Sequence, residues 1–308
     1  MEENTAAPAV TVSAEKIAPT RPLYWSVKRE LWENRSIYIA PMIVGGLVLF
    51  GFIISAIGLP QRRRALLLLD PRKQRALVEQ PYDFAVMLLL LTAFLVGSFY
   101  CLEALHGERR GRCILFWKSL PVSDLTTVLS KALIPLLVLP LLTFAIIILT
   151  QFFILLISTA ILLPSGLWAT SWERLPFLQM SIVLLYGMVT LALWHAPIYG
   201  WLLLVSGWVP RATFLAAVLP WLAACGLEKI AFNTTHLATF LGRRIAGNHE
   251  AAFVVSPQPK GVVFPVIDRI AQLDPLKFLS NPGLWLGLLL FAAFLVGASR
   301  LRRYHGPI

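Results

Sequence analysis

Six long apolar stretches alternate with short polar ones along the 308 residues. A helix needs about 20 mostly apolar residues to cross a bilayer. Residues 37–59, 83–105, 125–163, 178–205, 211–228 and 283–300 meet or approach that length and predict six membrane-spanning helices. The third stretch is longer than a bilayer requires and holds Pro135 and Pro140, which predicts a kink and a start outside the hydrocarbon. The fourth and fifth stretches are nearly continuous. They divide between Ser206 and Arg211, where Gly207 and Pro210 punctuate and Arg211 marks an interface. The fifth is short and carries Pro220. The pattern as a whole predicts an all-α integral membrane protein.

Shorter amphipathic runs surround these spans. Residues 1–21 are rich in Ala, Pro, Thr and Val with few bulky side chains, and predict a disordered tail ahead of a membrane domain over 22–308. In residues 22–36, Tyr24, Val27 and Leu31 recur at helical spacing, Trp25 and Trp32 flank them, and Lys28, Arg29 and Glu30 are read onto the other side. This predicts a helix lying in the membrane interface. Arg62–Arg64 and Arg72, Lys73 and Arg75 bracket the Leu66–Leu69 run and predict an amphipathic loop on anionic headgroups, with a recruitment surface for an acidic lipid or polymer as the sharper alternative. The connection over 229–282 is long for a simple link. Within it Leu237, Phe240, Leu241 and Ile245 form a stripe that needs an apolar surface, while Arg243 and Arg244 point to headgroups or water. That segment is expected to cap the outer side of the bundle, or to brace spans five and six. A second short helix is expected over 266–273, after Pro257, Pro259 and Pro265.

Composition agrees with the pattern. Hydrophobic residues make up 57% and charged residues 14%, against about 25% charged in a soluble domain. The net charge of +11 is spread around apolar spans, so it points to membrane lipids and not to nucleic acid. The first 36 residues lack the apolar core of a cleavable signal, so the first span is expected to direct its own insertion. Cys101, Cys113 and Cys225 form no even framework and no metal-ligand spacing. Among five histidines only His195 lies deep in a span, beside Trp194 and Pro197. It is read either as a polar group on a translocation path or as a partner for a carbonyl freed by the Pro197 kink. Glu228 and Lys229 are read as an interface ion pair. No phosphate-binding loop is present: Gly111 to Ser119 comes close, but Trp117 stands where a second glycine must admit the phosphates.

Between spans two and three lies a charged island from Glu108 to Asp124. Arg109, Arg110 and Arg112 crowd one end, Ile114, Leu115, Phe116 and Trp117 supply bulky apolar surface, Pro121 stops the run, and Ser123 and Asp124 can cap the next helix. A loop that only joins two helices does not need Phe116 and Trp117. A loop that plugs into a soluble partner does. The segment resembles the first cytoplasmic loop of ABC-2 type transporter permeases: an acidic-basic start at Glu108–Arg109, an apolar turn, Leu120–Ser123 reading Leu-Pro-Val-Ser, and Lys131 entering the third span. Arg29–Arg35 resembles that family's N-terminal interface helix, and Leu193–Ser206 its fourth span.

The resemblance implies a coupling helix that carries Glu108, Arg109, Arg112, Leu115, Phe116, Trp117, Leu120 and Pro121 against a separate ATPase. It implies two ATPase copies, which would hold ATP and Mg, a second permease chain, and export across a bacterial inner membrane. This chain would carry neither catalytic residues nor a cofactor or metal of its own. His195 and Glu103 would belong to the translocation path, and Glu103 is also read as an interfacial partner for a nearby arginine. Both termini are expected in the cytosol. That orientation rests on the resemblance, because it places fourteen basic residues inside against thirteen outside, and the positive-inside rule does not decide between such numbers. A membrane scaffold without transport would share the hydropathy but would not need the docking loop. A membrane-embedded enzyme would need a paired catalytic constellation, which the spans do not offer.

Overall fold

The computed structural model describes residues 22–66, 68, 70–111, 123–169, 172, 176–247, 249–254 and 270–304. These residues are helical and contain no strand beyond one isolated bridge between Phe253 and Leu273. Six helical stretches are long and apolar enough to cross a membrane: Ser36–Leu66, Leu77–Arg110, Asp124–Ser165, Phe177–Trp208, Thr213–Phe232 and Pro282–Tyr304. The chain therefore has the character of a multi-pass, all-α membrane protein.

Helix α1 (Pro22–Glu33) precedes the first span. That span consists of α2 (Ser36–Ser55), a 3₁₀ turn at Ala56–Gly58 and α3 (Leu59–Leu66). The arginine triplet read as part of a surface loop thus extends a helix, and Arg63 is buried instead of reaching headgroups. Helix α4 (Pro71–Ala104) is 34 residues long, about 51 Å at 1.5 Å per residue. It overreaches the hydrocarbon, so its first turns can afford the Arg75–Glu79 pair at 2.7 Å. Its start suits Pro71, whose missing N–H would have no helical partner there. A short α5 (His106–Arg110) follows.

The third span begins as α6 (Asp124–Leu133), passes through a π-helical turn at Ile134–Val138, and continues as α7 (Leu139–Leu162). Pro135 and Pro140 each remove a backbone donor, and the wider turn absorbs the break without ending the helix. Gly166, at φ 70°, turns the chain away after a last 3₁₀ turn. Then come α8 (Phe177–Trp208), α9 (Thr213–Phe232), α10 (His236–Ala246), α11 (His249–Ala252), α12 (Pro275–Leu279) and α13 (Pro282–Tyr304).

Helices α8 and α13 form the most extensive pairing in the bundle. Their backbones approach at Gly200, where an added Cβ would fall 2.8 Å from a Phe291 ring carbon. Small residues are what let membrane helices come this close. One core cluster, including Ile37, Cys101, Leu105, Ile134, Tyr199, Leu203 and Ala298, fills the end of the bundle that carries residues 106–124. A second, around Phe52, Tyr82, Ala85 and Ile154, fills the other end of spans one to three. By contrast, α9 buries only Ala217 and turns Leu219, Leu222 and Ile230 outward.

Candidate functional site

The strongest concentration of chemistry lies at the 106–124 end of the bundle. Glu30 of α1 is almost fully buried, at 1% exposure. One of its oxygens meets Lys131 Nζ at 2.8 Å and Arg29 at 2.7 Å, and the other accepts a hydrogen bond from Tyr100 Oη at 2.8 Å. Lys131 also reaches Glu108 at 3.1 Å. Glu108 in turn faces Arg302 of the sixth span at 3.2 Å, and Arg29 at 3.4 Å. Arg302 lies 3.5 Å from Asp124, the first residue of α6. The four innermost groups, Glu30, Glu108, Lys131 and Arg302, balance in charge.

Burial by itself would raise the carboxyl pKa of Glu30. The charge of Lys131 and the hydrogen bonds from Lys131, Tyr100 and Arg29 together outweigh it and hold the group below its ordinary 4.5. Burial likewise opposes the charge on Arg29, but Glu30, Glu33 and Glu108 together raise its pKa. These carboxylates and bases form ion pairs inside the protein. Such an arrangement holds elements in one register, because removing a partner strands a buried charge.

The chain folds this way locally for readable reasons. Glu30 shares a helical face with Val27 and Leu31, which pack on the core, so its carboxylate is carried inward. Glu30 thus does not share a polar outer face with Lys28, as its charge alone would suggest. Tyr24, Trp25, Trp32 and Glu33 are the exposed residues of α1, so Tyr24 leaves the face expected for it with Val27 and Leu31; Lys28 Nζ stands 5.0 and 4.9 Å from the ring centres of Trp25 and Trp32. At the end of α4, Ser206 Oγ accepts hydrogen bonds from the backbone N–H groups of Leu105 and His106, at 3.0 and 2.9 Å. Arg109 then donates to the Gly207 carbonyl at 2.8 Å, satisfying a carbonyl at the C-terminus of α8. Ser123 Oγ accepts from Thr126 N–H at 3.1 Å and caps α6.

Of the residues assigned to a docking surface, Glu108 and Arg109 therefore point into the bundle: Arg109 is 7% exposed. Arg112, Leu115, Phe116, Trp117, Leu120 and Pro121 lie outside the described residues, as does Cys113. Both stems of that segment are anchored in the ion-pair network, through Glu108 on one side and Asp124 on the other. Glu103 is exposed and joins no ion pair among the described residues. It neither pairs with an arginine nor faces the interior.

His195 stands apart from the network. Its Nε2 is 2.9 Å from the Ile245 carbonyl, a partner on α10. Trp194 Nε1 donates to the Arg243 carbonyl at 3.2 Å. The fourth span thus satisfies the last turn of α10, whose carbonyls have no helical partner. The apolar stripe of α10 faces outward: Phe240 and Ile245 are exposed at 56% and 52%, Leu237 is at the exposed margin and Leu241 is half-buried. Arg244, expected to reach headgroups or water, is instead buried at 6%. Glu228 caps the start of this helix. Its carboxylate accepts from Thr234 Oγ1 and the N–H groups of His236 and Leu237, at 2.7, 2.7 and 2.8 Å. It therefore serves α10 instead of pairing with Lys229. The second helix expected over 266–273 falls largely outside the described residues; a 3₁₀ turn at Ile270–Gln272 precedes α12.

Between the third, fourth and sixth spans an apolar crevice of about 290 Å³ is lined by Pro140, Phe144, Met188, Leu193, Leu288 and Phe291, among others. No group of three or more metal-ligating side chains occurs among the described residues. No protein-family model, curated protein or solved structure matches the chain.

Proposed function

We propose that this chain is the membrane subunit of an ATP-driven exporter of the ABC-2 type, with residues 106–124 meeting a separate ATPase and the spans forming the translocation path. The observation that carries the reading is the buried network of Glu30, Glu108, Lys131 and Arg302. It joins both stems of the 112–122 segment to α1 and to the sixth span. A force applied to that segment would be transmitted to four elements at once, which is what coupling a soluble motor to a bundle requires. The segment itself offers Leu115, Phe116 and Trp117 as apolar contacts. The apolar crevice at Phe144, Met188 and Phe291 suits a hydrophobic cargo. Two such chains would pair in the bacterial inner membrane, each with one ATPase.

Copurification tests this reading. The chain is expressed with a candidate ATP-binding-cassette ATPase from the same genome, and ATP hydrolysis and transport are followed in liposomes. Replacing Phe116 and Trp117 together with Ala should abolish copurification or uncouple hydrolysis, while membrane insertion persists. Undiminished transport in that double variant refutes the docking role.

A further inference from the structure

Arg244 is a cation buried without an anion among the described residues. It lies in the last turn of α10, is 6% exposed, and forms no ion pair among the described residues. Its guanidinium carbon stands 4.1 Å from the centre of the Trp194 ring, and Nη1 donates to the Gly283 carbonyl at 3.2 Å. Nη2 is buried with no hydrogen-bond partner. Space for the group exists because residue 287 is glycine: a Cβ there would fall 1.8 Å from Nη2. Burial lowers the pKa of Arg244, but only to about 10, so the group stays charged at neutral pH.

Three features make this arrangement unusual for a merely structural arginine. A buried cation is ordinarily paired. Position is the second: Gly283 and Gly287 occupy the first two turns of α13, whose N-terminus favours an anion and disfavours a cation. The third is depth. Arg302 marks the 106–124 end of the same helix, and Gly287 lies fifteen residues before it, about 22 Å away. That places Arg244 towards the opposite leaflet, where lipid phosphates begin. Gly283 and Gly287 put no side chain of their own into the α10–α13 seam. The last turn of α10 is held there by few contacts, so a small shift exposes the guanidinium.

We propose that Arg244, with the N-terminal turns of α13, binds a phosphate group at the leaflet opposite residues 106–124. The ligand is a phosphate monoanion or diester, carried either by an anionic lipid or by a soluble phosphate. The guanidinium exchanges its cation–π contact with Trp194 for a two-pronged pairing with the phosphate oxygens. The site does not depend on the transport reading, because it concerns binding alone.

The test is native mass spectrometry and fluorescence titration of the purified, delipidated full-length chain with phosphatidylglycerol, phosphatidylcholine and inorganic phosphate. Saturable phosphatidylglycerol binding, weakened at least tenfold by Arg244→Gln, supports the site and assigns it to a lipid. Saturable binding of inorganic phosphate, lost in the same variant, supports the site and assigns it to a soluble phosphate. Equal affinity of the wild type and Arg244→Gln for all three probes overturns it, and is the result expected if an acid of the chain itself completes the pair. Should Arg244→Gln fail to fold, Arg244→Lys replaces it: it keeps the charge but loses the fork, and must weaken binding several-fold. Unchanged affinity in Arg244→Lys would then overturn the proposal.

Discussion

Replacing Lys131 with Met tests whether the ion-pair network holds the bundle together. Met is close to Lys in length and fills the same space without charge. The substitution removes contacts at 2.8 Å to Glu30 and 3.1 Å to Glu108. Breaking one side of a buried ion pair costs about 3–5 kcal/mol, since the stranded charge has lost its compensation. Arg29 and Arg302 still reach the two carboxylates at 2.7 and 3.2 Å. The loss should therefore fall at the lower end, about 3 kcal/mol, or roughly a hundredfold in the folded-to-unfolded ratio. Unfolding by SDS in mixed micelles, followed by tryptophan fluorescence, reads the difference. Arg303→Met is the control: its side chain is exposed one residue from Arg302, and it should stay within about 0.5 kcal/mol of wild type. The double variant Glu30→Gln, Lys131→Met removes opposite charges together, and Gln keeps an acceptor for Tyr100. It should be less damaged than the two single losses combined, with a coupling of about 1–3 kcal/mol. A Lys131→Met protein within about 1 kcal/mol of wild type, or strictly additive single losses, refutes the network as a stabilising unit.

Acid should weaken the same end of the bundle. Glu30 titrates below its ordinary 4.5 in the folded chain, so its contribution is present above about pH 4.5 and is lost as pH falls through the lower folded value; hydrogen exchange in α1 should rise there, and Glu30→Gln should abolish that acid-dependent step. Trp194→Phe removes the donor to the Arg243 carbonyl and should loosen the end of α10 by about 1 kcal/mol, read as faster exchange at residues 243–246 with the sixth span unchanged. Glu228→Ala should fray the first turn of α10, where it receives three hydrogen bonds, and protection at His236 and Leu237 equal to wild type would contradict the capping role. An impermeant thiol reagent should leave Cys113 unlabelled in intact cells and label it in inverted vesicles; labelling in intact cells reverses the orientation and removes the ATPase assignment with it.

Span positions were legible because hydropathy over some twenty residues averages away local detail. Periodicity in short amphipathic helices was a poorer guide. On α1, Glu30 follows Val27 by three residues, so helical geometry alone places it on the buried face; reading it by its charge moved it to the wrong side. On α10 the basic residues were the poorer guide. Leu237, Phe240 and Ile245 need an apolar surface, and in a membrane the lipid is as apolar as a protein core. The stripe faces outward, and the one buried side chain is Arg244. Partners of His195 and Glu228 were beyond any local pattern, since they depend on α10 folding back onto the fourth span. The network itself draws on residues separated by up to 272 positions, from Glu30 to Arg302, and only Lys131 and Glu108 carried a hint of it, through the resemblance of their flanking motif.

The two polar features of this bundle differ in a way that bears on mechanism. At the 106–124 end, four charges balance and their contacts cross from α1 to α5, α6 and α13. No part of that cluster can shift alone without stranding a charge, so it should move as one body. At the other end, the last turn of α10 is held by three carbonyl contacts and a cation with no carboxylate partner among the described residues. Each of those contacts is worth about 1 kcal/mol net, and a competing anion can replace the cation–π contact at little cost. Motion applied at the 106–124 end would therefore reach the opposite leaflet through the α8–α13 pair, which bears on both: Arg302 and Gly207 anchor one end of it, and Trp194, Gly283 and Gly287 receive α10 at the other. A disulfide between cysteines placed at Gly200 and Phe291 would lock that pair. If the lock leaves phosphate binding intact but abolishes any effect of Lys131→Met upon it, the α8–α13 pair carries the communication. If Lys131→Met alters phosphate affinity equally with and without the lock, the two ends communicate by another route.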